Sequence, residues 1–87
     1  MFEVSMTKRA EKGRAKMPAD QVLLLAQLVD DLKESGPVQP SWPNYSKLSG
    51  KKHHCHLSHK WVACWEETKT GVHIEVYYAG SRESAPY

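Results

Sequence analysis

The feature that most constrains this chain is a change of hydrophobic period partway along it. Val22, Leu25, Val29 and Leu32 recur at helical spacing, and Leu24 and Leu28 widen the apolar stripe. Pro18 suits the first helical position, and Asp20 places negative charge where the helix dipole favours it. Ser35-Gly36-Pro37 ends the helix, because proline cannot continue it. From His53 onward the period drops to two. Trp61, Ala63 and Trp65 alternate with Val62, Cys64 and Glu66, and Val72, Ile74, Val76 and Tyr78 alternate with His73, Glu75 and Tyr77. Thr68-Lys69-Thr70-Gly71 reads as the hairpin connection between these strands, and such short gaps imply antiparallel pairing. Helices first and strands later give an α+β fold, with two N-terminal helices packed on a small, mainly antiparallel sheet.

The remaining segments fit around that frame. Phe2 and Val4 alternate with Glu3 and Ser5, which suits a short opening strand. Thr7 is a candidate N-cap for a basic helix beginning at Lys8, interrupted by Gly13 and poor in apolar residues, hence superficial. Pro37, Pro40 and Pro43, with Trp42 and Tyr45, indicate a stiff, extended connector. Lys47-Leu48-Ser49-Gly50 then approaches a turn, and the first of three strand candidates runs from His53 to Ser58.

At 87 residues, the chain is expected to form a single domain spanning 1–87. A hydrophobic fraction of 40% and a charged fraction of 25% argue against wholesale disorder. No apolar run approaches the roughly 18 residues of a membrane span. The opening Met1–Ser5 lacks a basic end followed by an apolar core, so a signal peptide is not expected. These features imply a cytoplasmic protein without membrane contact, in which Cys55 and Cys64 stay as free thiols. The net charge of +2 hides a partition: residues 1–17 carry five basic and two acidic groups, and residues 36–60 carry four lysines and no acid. These two segments could offer an anionic partner a landing site or could be solvated surface.

Chemistry concentrates in Lys51-Lys52-His53-His54-Cys55-His56-Leu57-Ser58-His59-Lys60, which holds four of the five histidines. On a strand, His54, His56 and Ser58 share one side, with His53, Cys55 and Leu57 on the other. Paired imidazoles beside lysines suit proton transfer next to a phosphate. The same run could hold a metal, but strand alternation turns Cys55 away from His54 and His56, and the chain contains neither CxxC nor HExxH. The carboxyl-terminal Gly80-Ser81-Arg82-Glu83-Ser84-Ala85-Pro86-Tyr87 supplies an arginine for phosphate and a phenol able to stack on a base. Read alone, it is also a frayed tail. Trp42, Tyr45, Trp61, Trp65, Tyr77 and Tyr78 could stack on RNA bases, although the strand tryptophans fit a core better.

The order of parts resembles the RelE/ParE superfamily of bacterial type II toxin–antitoxin toxins, and within it the RelE- and HigB-like mRNA interferases. The resemblance rests on Lys47-Leu48-Ser49-Gly50, His54-Cys55-His56-Leu57, Trp61 to Trp65, and Ile74 to Tyr87 with its Gly80-Ser81-Arg82-Glu83 turn. It implies a metal-independent endoribonuclease that cleaves mRNA in the ribosomal A site and is neutralised by a cognate antitoxin, without a cofactor and without DNA contact except through the antitoxin complex. In that chemistry the ribose 2′-hydroxyl attacks the adjacent phosphate, leaving a cyclic phosphate and a free 5′-hydroxyl. His54 and His56 fall where family members carry basic catalytic residues, Arg82 matches the arginine of the terminal turn, and Tyr87 matches the late tyrosine. Lys47, Lys51, Lys52 and Lys60 are then expected to contact RNA backbone.

The chain departs from the family at two points. The arginine that many members carry on the strand after the histidines falls near Val62, leaving Lys60 as the substitute. The turn from Gly80 to Tyr87 is about one residue short of the family's, which bears on where Tyr87 falls, and a carboxylate following Tyr87 is expected close to the site. Two alternatives stand beside the nuclease: a non-catalytic ParE-like or nucleic-acid-binding module, and a histidine-rich metal-binding protein. The histidine pair favours the nuclease.

Overall fold

A computed structural model describes residues 1–68 and 71–87. The elements in chain order are β1 (Glu3–Met6), α1 (Lys8–Ala15), α2 (Ala19–Ser35), β2 (Ser46–Ser49), β3 (Lys52–His56), β4 (Trp61–Glu67), β5 (His73–Ser81) and a 3₁₀ turn (Arg82–Ser84). They form a single sheet of order β1-β5-β4-β3-β2. Only the β1–β5 pairing is parallel; the other three are antiparallel. This is the expected α+β architecture with both helices N-terminal. Lys69 and Thr70, half of the expected hairpin connection, lie outside the described residues.

α2 forms where its apolar stripe demands. Leu25, Leu28 and Leu32 are fully buried against Cys55, Ala63, Trp65, Ile74 and Val76 of the sheet. Pro18 stands one position before the first helical residue, as the N-cap. α1 is held by its start and by one close approach. The Thr7 hydroxyl accepts from the Ala10 N–H at 3.1 Å, satisfying one of the orphan donors of the first turn. The helix does not stop at Gly13. It runs on to Ala15, and glycine there lets α1 lie against β5, since a Cβ would sit 1.8 Å from the Ala79 carbonyl oxygen. The residue that reads as a breaker is a packing device.

The connector is tied down on both sides. Trp42 donates its indole N–H to the Asp31 carboxylate at 2.8 Å, Gln39 donates to the Asp31 and Gly36 carbonyls, and Trp65 donates to the Pro37 carbonyl at 2.9 Å. These bonds fix the position from which the chain enters β2.

Two strands differ from the sequence expectation. Ser46–Ser49 is an edge strand that leads into the expected turn at Gly50–Lys51; its only apolar residue is Leu48, so pairing with β3 rather than burial of a face makes it a strand. In β5 the strict alternation fails at Tyr77–Tyr78. The ladder steps from Cys64↔Tyr78 to Trp65↔Val76, so Tyr77 is the extra residue of a bulge. Tyr78 therefore joins Val62 and Cys64 in a second small cluster on the face away from the helices. The sheet thus has a helix-covered face and an open face.

Candidate active site on the open face

β3 divides the histidine run between those two faces. His53 and Cys55 point to the helix side, His54 and His56 to the open side. His53 is fully buried, parallel to the Trp65 indole with ring centroids 5.9 Å apart. The Tyr45 hydroxyl lies 2.7 Å from its Nδ1, and Nε2 lies 3.0 Å from the Glu67 carboxylate. With Tyr45 donating to Nδ1, Nε2–H donates to Glu67, so both ring nitrogens are occupied. His53 is a bracket between the connector and the sheet.

On the open side His54 is 8% exposed, with Nδ1 3.0 Å from the Ser46 hydroxyl of β2. His56 lies next to it, ring centroids 6.0 Å apart. Burial holds His54 below the ordinary imidazole value, partly offset by hydrogen bonding to the Ser46 backbone. His56 is lowered first by burial and then by the positive charges of His54, Arg82 and His59. Both imidazoles are therefore biased toward the neutral form in the free protein.

The tail completes the site. The Tyr78 hydroxyl donates to the Ser81 carbonyl at 2.7 Å, folding its ring over Gly80, where a Cβ would sit 2.8 Å from that hydroxyl oxygen. The Arg82 N–H donates to the Lys60 carbonyl at 2.8 Å, pinning the 3₁₀ turn to the β3–β4 connection. Ala85 packs on the Val62–Cys64–Tyr78 cluster. The chain then ends with the Tyr87 ring 4.3 Å from His54, centroid to centroid. Burial raises the Tyr87 phenol, and Arg82 opposes that shift. Tyr87 thus stays a protonated donor and a stacking surface. Arg82 and His56 line one shallow depression with His59 and Asn44.

Of the residues singled out in the sequence, His54, His56, Arg82 and Tyr87 converge on this face. Lys52 shares a depression with Tyr87, and Lys60 one with Arg82. Lys51 sits in the β2–β3 turn. Lys47 pairs with His53, and cross-strand neighbours share a face, so it lies on the other side of the sheet from the histidine pair. Ser58 does not extend the histidine face as strand alternation suggested: β3 ends at His56, and the Ser58 hydroxyl donates to Gln21 of α2 at 2.8 Å. Sequence reasoning did not single out Ser46 as a His54 partner or Tyr78 and Gly80 as the shape of the terminal bend. The one available signal was the Tyr-Tyr pair, which breaks strand alternation.

The cysteines are free and lie on opposite faces, Cys55 in the core and Cys64 beneath the tail. Burial pushes the thiols up to about 12 and about 11 respectively, so both are protonated at neutral pH. Among the described residues no group of three or more His, Cys, Asp or Glu side chains is placed to hold a metal ion.

No family model and no curated sequence matches the chain. Solved structures do match. The E. coli toxin RelE in complex with an antitoxin RelBc peptide superposes with a TM-score of 0.76 at 19% identity, over 95% of this chain and 85% of that one. The archaeal RelE–RelB complex from Pyrococcus horikoshii gives 0.74 at 13%, over 97% and 98%. A metal-bound toxin from Helicobacter pylori gives 0.71 at 20%, over 95% and 97%. The fold is that of RelE/ParE-type toxins, as the resemblance in sequence implied.

Proposed function

We propose that the chain is the toxin of a toxin–antitoxin pair and a metal-independent endoribonuclease that cuts mRNA in the ribosomal A site. The observation that carries this reading is the return of the tail onto β3, which sets Tyr87 against His54 and Arg82 beside His56. One neutral histidine takes the proton of the 2′-hydroxyl as its oxygen attacks phosphorus. The P–O5′ bond breaks, and the other histidine, protonated, gives its proton to the departing 5′-oxygen. The products are a 2′,3′-cyclic phosphate and a 5′-hydroxyl.

Proton transfer of this kind is worth roughly 10²–10⁴-fold for each group that performs it. Both imidazoles are held low in the free protein, but an arriving phosphate favours the charged form and restores a proton to one of them. Arg82 offers its guanidinium to the charge that builds on the phosphorane. Tyr87, raised and therefore protonated, stacks on the exposed base or donates to the phosphate. Lys52 and Lys60 hold the backbone on either side. The antitoxin-bound relatives of the same fold support a cognate antitoxin as the partner that silences the protein.

The test is primer extension on messages after brief expression. The wild type should give discrete, codon-phased cuts, and His56→Ala or Arg82→Ala should abolish them while remaining folded by circular dichroism. Intact message alongside arrested growth would favour a binding toxin over a nuclease.

A further inference from the structure

Basic residues of α1 form a stripe that begins, at Arg9, beside the depression holding Lys52 and Tyr87. Arg9, Lys12 and Lys16 stand at positions i, i+3 and i+7, one stripe of the helix. They line a groove between α1 and the end of β5 that also includes Trp61 and Gly80. Arg9 lines a second depression too, together with Lys52, Tyr77 and Tyr87. Its guanidinium lies 5.2 Å from the centre of the Tyr78 ring, and the Lys52 ammonium 5.6 Å from that of Tyr77. Two depressions thus share Arg9, and the nearer shares Tyr87 with the catalytic face. Among the described residues no acidic side chain lines either one.

We infer that this is a track for single-stranded RNA: the strand leaves the histidine site past Tyr87, crosses Lys52 and Arg9, and continues along Lys12 and Lys16 of α1. The inference rests on reading the open face as an RNA-cleaving site and extends it to the nucleotides beyond the cut. The charge of the track is one-signed, as phosphate requires, and it is continuous with the site through two shared residues. At the junction the half-exposed Tyr87 ring suits an unpaired base, which stacks without sequence preference. Such contacts position a strand without reading it.

The test uses end-labelled, 2′-O-methylated RNA, which cannot be cut, as a trinucleotide and a dodecanucleotide, with binding followed by fluorescence anisotropy at several salt concentrations. The wild type should hold the longer strand more tightly and with a steeper salt dependence. Lys12→Ala/Lys16→Ala should lose that advantage, with the slope of log affinity against log salt falling by about 1.4, from roughly 0.7 per released cation. Arg14→Ala/Lys33→Ala removes equal charge elsewhere, Arg14 facing the α1–α2 side, and should keep the advantage. The track is overturned if the lysine variant retains the wild-type slope, if the control loses as much, or if the wild type shows no preference for length. Because the RNA is uncleavable, length-dependent binding by a protein that leaves message intact would keep the track and sink the nuclease; cutting without a length effect would do the reverse.

Discussion

His53 and His54 are neighbours in sequence with opposite fates. His53 faces the helices, where Tyr45, Glu67 and Trp65 occupy both nitrogens and one ring face. His54 faces outward, where the hydroxyl of Ser46 and the ring of Tyr87 are its neighbours and His56 stands beside it. The helix side uses an imidazole as a rigid two-headed connector. The open side leaves imidazoles held low by burial, and His56 also by the charges of His54, Arg82 and His59. Side-chain chemistry is the same on both faces; what surrounds it makes one histidine a structural bracket and leaves the other for the proposed proton transfer.

Substitutions should separate the two faces. The largest loss of stability is expected for Trp65→Ala, which empties the centre of the covered face and should cost about 3–5 kcal/mol in denaturant unfolding. His53→Ala should follow, at about 2–3 kcal/mol, because it strands the Glu67 carboxylate and the Tyr45 hydroxyl in part-buried positions. Gly80→Ala should cost about 1–3 kcal/mol by forcing the Tyr78 hydroxyl off the Ser81 carbonyl, and should misplace Arg82 as well. His56→Ala should shift stability by no more than about 0.5 kcal/mol yet abolish cleavage. A His53 variant that is fully stable, or a His56 variant that unfolds, would collapse the distinction.

The pH dependence of stability is a smaller effect with a fixed sign. His54 and His56 are depressed in the folded state, so below the unfolded value of about 6.5 the unfolded chain binds more protons. Their contribution is present above that pH and is lost as pH falls toward the folded values. Urea midpoints measured from pH 7.5 down to 5 should therefore decline, and less steeply in His54→Gln/His56→Gln. An unchanged slope in that double variant would remove the histidines from the account.

How much of this was legible in the sequence depends on where the determining contact lies. α2 could be read because its stripe is periodic and its stop is built from glycine and proline. The split of the histidine run could be read because strand alternation is local. β2 could not, since a solvent-exposed edge strand held by pairing carries no apolar pattern. Gly13 misled for the opposite reason: its role is the approach of α1 to the Ala79 carbonyl, a contact between residues far apart in the chain. Arg82 and Tyr87 stand out by their side-chain chemistry and gain roles from the family resemblance, but the path that brings them to the histidines depends on the Tyr77 bulge, the Tyr78–Ser81 bond and the packing of Ala85. Lys47 shows the limit of counting charges, because register puts it on the far face.

The central claim, that the open face performs proton transfer at a phosphate, is tested most directly by the chemistry of the cut ends. Purified protein would be mixed with ribosomes carrying a defined message, and the termini of the fragments determined. The histidine mechanism predicts a 2′,3′-cyclic phosphate and a 5′-hydroxyl, both absent with His54→Ala/His56→Ala. Fragments ending in a 3′-hydroxyl and a 5′-phosphate, or cutting that survives the double variant, would contradict it.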